Sequence, residues 1–192
     1  MTDTRCDPND DSETINRQTM SMKPLDWVEF KWDLVAAPVA QEPLPEHYRI
    51  AEATAEDAEE IRKVVTRSLT LDPAWSAELD RVIDIVDEWV NRAFAAGHPI
   101  ALRHGQRIIG CVMISDDPAS SNNLAPGPCV SMEYRNRGFG TQLLAAALEF
   151  LRAKGVTQAV AATRASANAA RSLYAKFGGI AEAVDADRLL AA

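Results

Sequence analysis

Residues 129–155 read CVSMEYRNRGFGTQLLAAALEFLRAKG. A short apolar run meets a basic, glycine-containing turn, and the turn meets a smooth apolar helix. A strand feeding a helix in this way lays the helix back over a sheet, which confines the chain to α/β architectures. The placement also gives the turn chemical meaning. Backbone amides in the first turn of a helix have no internal partners, and the helix dipole puts partial positive charge there. Such an end seats a phosphate. Gly138 and Gly140 lack a Cβ and let a ligand approach the main chain, while Arg135 and Arg137 add charged donors.

The remaining pattern predicts a mixed sheet. Val28, Phe30, Trp32 and Leu34 alternate with Glu29, Lys31 and Asp33, the period of a half-buried strand. AAPVAQEPLPEH follows as a proline-rich linker. Tyr48–Ala53 reads as a strand, and Thr54 with Asp57 forms a weak capping box for a helix whose face carries Ala58, Ile61, Val65 and Leu69. Asp72-Pro73 reads as the start of a second helix, striped by Leu79, Val82, Val86, Trp89 or Val90, and Phe94, and closed by Gly97. PIALRHGQRIIGCVMIS is a hairpin turning at His104-Gly105-Gln106, and DDPASSNNLAPGP is a loop by composition. Cys129–Met132 and Thr157–Thr163 are apolar strands, ANAARSLYAKFGG is a helix, and Ile180–Val184 is a last strand. Hairpins mixed with crossover helices imply an α/β fold with a partly parallel, partly antiparallel sheet flanked by helices.

Charge narrows the function. The net charge of −8 argues against a nucleic-acid binder. Residues 1–46 hold 4 basic and 10 acidic side chains, whereas residues 129–180 hold 7 basic and 2 acidic ones, a positive block suited to a small anion. No run approaches the ~20 apolar residues of a membrane span, and the polar acidic N-terminus lacks a signal-type apolar stretch. A cytoplasmic protein that engages no membrane is therefore expected. Cys6, Cys111 and Cys129 are too far apart for a disulfide framework or zinc spacing, and no metal site is expected. His47, His98 and His104 read as surface residues near turns. A dinucleotide fold is excluded, because residue 143 is leucine where G-x-G-x-x-G needs glycine, and no G-K-[ST] phosphate loop occurs.

Arg135-Asn136-Arg137-Gly138-Phe139-Gly140 resembles the [QR]-x-x-G-x-[GA] motif of the GNAT acyltransferases. N-A-A-R-S-L-Y-A-K-F-G is similar to that family's second signature, with Asn168, Leu173, Tyr174 and Gly178 on the marked positions. The resemblance spans roughly residues 48–184. It implies a GNAT-like domain over residues 47–192, preceded by a disordered acidic arm (1–24) and an extra strand with its linker (25–46).

It further implies N-acetyl transfer from acetyl-CoA to an amine, either a small molecule or a protein amine, by direct attack in a ternary complex. The backbone of Asn136, Arg137, Gly138, Phe139, Gly140 and Thr141, with Arg135, would hold the pyrophosphate. The backbone of Val130 and Met132 would pair with the pantetheine arm, as an added strand does, and Asn168 would hydrogen-bond it. Tyr174 would protonate the leaving thiolate. Asn168 as a helix N-cap and Tyr174 as a packed core residue are the structural alternatives. No base stands out among Asp116, Asp117 and Glu133.

Two features depart from the family pattern. Pro128 falls near the position whose amide would meet the acetyl oxygen, and proline has no N–H. Only DADRLLAA follows Val184, so the closing strand is missing, very short, or replaced by Val28–Leu34, which could instead serve a partner or a homodimer contact. A non-catalytic CoA-binding module on the same fold is the alternative function.

Overall fold

The structure, a computed structural model, describes residues 27–35, 43–76 and 79–184, with only the backbone of residues 79–82. The predicted acidic arm, most of the linker, the chain after Val184 and the side chains of Leu79 and Val82 lie outside these residues.

Among the described residues, seven strands and three α-helices follow the predicted order: β1 Trp27–Asp33, β2 Tyr48–Glu52, α1 Ala58–Thr70, α2 Leu79–Ala96, β3 His98–His104, β4 Arg107–Ile114, β5 Cys129–Val130, α3 Phe139–Ala153, β6 Gln158–Arg164 and β7 Ile180–Val184. They form two sheets, β2-β3-β4-β5 and β6-β1-β7, and every pairing is antiparallel. The parallel component expected from the crossover helices is therefore absent from the ladders of the described residues. β5 and β6, the two strands that would carry it, do not pair with one another.

Why these segments take these shapes is local. β3 and β4 are almost wholly buried because helices cover both faces of their sheet. Ile61, Val65, Val86 and Val90 pack with Ala101, Ile108, Cys111 and Met113 on one face. Leu143, Leu144, Leu148 and Leu151 pack with Leu102, Ile109, Val112 and Ile114 on the other. The Asp57 carboxylate accepts the Thr54 N–H at 2.9 Å and starts α1 through a 3-10 turn. α2 begins at Leu79, not at the predicted Asp72-Pro73. There the Asp72 Oδ1 accepts the Ala74 N–H at 3.0 Å and closes a tight turn instead of capping a helix. The strand predicted over Cys129–Met132 stops at Val130, because Met132–Tyr134 coils into a 3-10 turn. The predicted last helix is a π-helical turn, Ala169–Leu173, running into a 3-10 turn, Tyr174–Phe177, which ends on Gly178 at φ 74°.

Among the described residues, the N-terminal strand stands inside the second sheet. β1 lies between β6 and β7, opposing β6 along its whole length and β7 from Trp27 to Lys31. Its alternation puts Phe30 and Trp32 into the core shared with α3.

The two sheets meet at Asn123, which is 1% exposed. Its N–H donates to the Val160 carbonyl at 2.7 Å, and its Oδ1 accepts the Val160 N–H at 2.8 Å. On its other side, Asn123 Nδ2 donates to the Ser115 carbonyl at 2.9 Å and its own carbonyl accepts the Ser115 N–H at 2.9 Å. One residue thus bridges the chain just past β4 to β6 at one end and lets β5 and β6 diverge beyond it. Asn123→Ala would leave the half-buried Val160 N–H and Ser115 carbonyl without these partners, each costing about 1–3 kcal/mol. Urea unfolding should show a loss of at least about 2 kcal/mol, with Asn123→Asp recovering only part of it.

Candidate active site

The diverging strands enclose a cleft of about 170 Å³ that brings together most of the residues predicted from sequence. Val130, Arg135, Asn136, Gly140, Asn168 and Tyr174 all line it, as does Pro128.

At one mouth stands the turn before α3. Asn136 and Gly138 adopt φ of 61° and 82°, and Gly138 is the left-handed residue from which α3 departs. Only the asparagine and glycine types take such angles at little cost. The first backbone bond of the helix runs from the Gln142 N–H to the Gly138 carbonyl at 3.1 Å. The amides of Phe139, Gly140 and Thr141 therefore have no acceptor within the helix, and they converge with the positive end of a fifteen-residue dipole. This end fits a pyrophosphate. The Phe139 side chain turns inward, 4% exposed, against Tyr48. Arg137 is exposed, with its guanidinium 5.5 Å from the Tyr134 ring centre.

Arg135 does something else. Its Nε donates to the Val130 carbonyl at 3.0 Å and its Nη2 to the Ser68 carbonyl at 2.8 Å. The guanidinium joins the last turn of α1 to the end of β5 and fixes the shape of the turn. Met132 stands beyond the strand, 54% exposed.

The open edge of β5 follows from its ladder. Ser131 donates to the Ile109 carbonyl at 2.8 Å, so Val130 directs its N–H and carbonyl away from β4. The carbonyl already receives Arg135 and, at 3.2 Å, the Ser68 hydroxyl. The N–H faces the cleft. By the two-residue period of the strand the Pro128 nitrogen faces it too, without a hydrogen.

Tyr174 occupies the far wall. Its ring is a core residue, packed edge-on against Phe30 and Trp32 at 5.1 and 5.2 Å, while the Trp32 indole N–H donates to its carbonyl at 3.3 Å. Its hydroxyl lies against Gly127, beside Pro128, so closely that a Cβ on that glycine would stand 2.1 Å from the oxygen. Burial pushes the phenol well above its usual pKa, which keeps the hydroxyl protonated. The two sequence alternatives are thus compatible: the ring is structural and the hydroxyl reaches the cleft. Asn168 is not an N-cap. It has helical angles and no capping bond, and its Oδ1 accepts the Ser172 hydroxyl at 3.2 Å. The π-helical turn that follows is a distortion often met at functional sites.

The candidate bases are dispersed. Asp116 pairs with His98 at 3.2 Å and Glu133 with Arg107 at 2.7 Å, and neither lines the cleft. Asp117 lines an adjoining cavity. Among the described residues the only carboxylate in the cleft wall is Asp72, which the sequence predicts as a helix cap. No local signal distinguishes it from a cap, because its placement depends on α1 reaching over β5. Cys129 and Cys111 are buried, and burial pushes the Cys129 thiol up to about 12 and the Cys111 thiol well above its usual value. Neither is a nucleophile at neutral pH.

Gly127→Ala should destabilise the fold by about 1–3 kcal/mol through collision with the Tyr174 hydroxyl. The ring carbon stands at 3.3 Å, so adding Tyr174→Phe should relieve most of that loss in a urea double-mutant cycle.

Comparison with known proteins agrees with this geometry. Among curated proteins none matches the sequence. Solved structures share the fold: a Drosophila protein (16% identity, TM-score 0.58, covering 85% of this chain and 50% of that one), a GCN5-related N-acetyltransferase from Sphaerobacter thermophilus (13%, 0.56, 84% and 50%), and a GNAT-family acetyltransferase from Colwellia psychrerythraea (12%, 0.56, 83% and 53%). The chain spans about half the length of these proteins. The sequence model of the acetyltransferase (GNAT) family matches residues 56–179, from the start of α1 through the turn, the cleft and Tyr174, and the chain belongs to that family.

Proposed function

We propose that the protein transfers an acetyl group from acetyl-CoA to a primary amine. The observation that carries this is the alignment of three unpartnered amides at the start of α3 with a cleft that ends at the Tyr174 hydroxyl. In this reading the amides of residues 136–141, with Gly138 giving access and Arg137 adding charge, hold the pyrophosphate of the donor. The Val130 N–H and the Asn168 amide meet the pantetheine arm. Arg135 and Met132 stay outside direct contact, and Arg135 serves by holding the turn.

The chemistry balances as follows. The acceptor ammonium loses a proton to solvent, and its nitrogen attacks the thioester carbonyl carbon. The C–N bond forms, the C–S bond breaks, and the departing sulfur takes a proton. One further proton leaves the nitrogen as the amide forms. Tyr174 supplies the donor for the sulfur and is recharged from that second proton. Its buried phenol stays protonated across the range in which an amine becomes nucleophilic. The buried thiols argue for direct attack over a covalent relay.

One observation favours a second reading, a CoA-binding module without turnover. Pro128 leaves no N–H on the cleft edge beside Tyr174, and an amide donor to a developing oxyanion is worth about 2.7–4 kcal/mol in a barrier. Calorimetry with acetyl-CoA and a thiol-release assay separate the two. Acetyl-CoA should bind, and Gly138→Glu should abolish the binding; no heat at millimolar concentration would refute both readings. Tyr174→Phe should lower kcat about 100-fold or more while leaving acetyl-CoA affinity and the melting temperature near wild type. Because the Tyr174 pKa is raised, the rate should climb with pH as the amine loses its proton and show no falling limb from this residue below about pH 10.

A further inference from the structure

The cleft wall draws on the residues packed on both sides of the first sheet, and the acetyl donor accounts for only one side. Asn136 and Gly140 line it on the face covered by α3. On the face covered by α1 and α2 the wall is Leu69, Asp72, Trp75 and Trp89. Among the described residues, Asp72 is the only carboxylate in this wall, and Arg135, the only basic one, is tied to two carbonyls. One Asp72 oxygen is fixed by the Ala74 N–H at 3.0 Å, and the Trp75 N–H donates to the Asp72 carbonyl at 2.9 Å, so one tight turn presents a carboxylate and an indole together. The second carboxylate oxygen has no partner among the described residues.

The indole of Trp75 is 8% exposed and is braced edge-on by Trp27 at 5.5 Å. The Arg164 guanidinium stands 5.9 Å from both of these rings but lines neither cavity. Beyond Trp89 lies a second cavity of about 420 Å³, and Trp89, Asn122 and Ala125 line both spaces. Its charged groups are Arg92, which is paired with Glu88, and Asp117, whose carboxylate accepts the Ala119 N–H.

We propose that this face is the acceptor subsite and that it takes a primary ammonium carried on an apolar, preferably aromatic, body. It rests on the transfer reading above. Asp72 anchors the ammonium. Trp75 and Trp89 flank the body, and the second cavity receives its far end. A carboxylate and indole faces attract the same cation, the first through a charge-assisted hydrogen bond and the second through the ring quadrupole. The same wall rejects an acceptor that carries its own carboxylate beside the nitrogen, since among the described residues of the lining no free cation meets it.

Phenethylamine and phenylalanine are the discriminating probes, because they differ only in that carboxylate. With the full chain saturated in CoA, calorimetry should detect phenethylamine and detect phenylalanine at least about tenfold more weakly. Asp72→Asn keeps the oxygen that accepts the Ala74 N–H and removes only the charge. It should weaken phenethylamine about tenfold or more, raise its KM by a similar factor and leave acetyl-CoA affinity unchanged. Asp72→Glu should recover part of the loss, and Trp89→Ala should weaken the amine without altering acetyl-CoA binding.

Equal binding of the two probes, or phenethylamine affinity unchanged in Asp72→Asn, overturns the subsite. Asp72-dependent binding of phenethylamine without acetylation upholds the subsite and overturns the transfer reading. Acetylation of amines that is indifferent to Asp72 upholds transfer and overturns the subsite.

Discussion

The architecture depends on how two antiparallel sheets are joined without becoming one. Asn123 does this with four short hydrogen bonds to Ser115 and Val160, each satisfying a backbone group that would otherwise lack this partner. At that end a single residue bridges the chain just past β4 to β6. Further along, β5 and β6 do not pair, and the cleft lies between them. The cleft is therefore a consequence of backbone bonding, and its walls are strand edges whose remaining donors point inward. A buried amide side chain is well suited to this task, since it offers donor and acceptor at once.

The N-terminal strand has a comparable importance on the other side. β6 and β7 do not pair with each other, and β1 supplies the ladder that unites them. It also supplies Phe30 and Trp32, which fix the Tyr174 ring from two directions. A side chain so held cannot change rotamer without opening the core. The hydroxyl at its tip is thereby positioned by residues more than 140 positions away in sequence. The close fit of Gly127 under that hydroxyl is the complement of this rigidity.

Charge within the site is divided by task. Arg135 neutralises carbonyls at the α1 terminus and on β5 and so shapes the turn, while the turn's own amides and the α3 dipole are left for an anion. On the opposite face Asp72 and two tryptophans make an environment of the other sign preference. The cleft thus meets a helix N-terminus at one end and a carboxylate beside two indoles at the other. The two buried thiols between them are held inert by desolvation.

Local signals carried much of this in the sequence alone. The hairpin at Gly105, the turn at Gly138 and the apolar helix behind it are decided by backbone conformations that only certain residues adopt and by short-range periodicity, and they are where the sequence puts them. So is the family, and Asn168 and Tyr174 line the same cleft as the turn. The tertiary structure decided what depends on distant partners. Asn123 sits in a stretch that reads as loop, because its hydrogen bonds reach residues 8 and 37 positions away. Arg135 reads as a phosphate ligand until Ser68 takes it, and Asp72 reads as a helix cap until α1 carries it over β5. Composition and period report which face a residue prefers. Only packing determines which other chain segment waits there, and for this protein that choice sets the cleft, the fixed tyrosine and the Asp72 carboxylate in its wall.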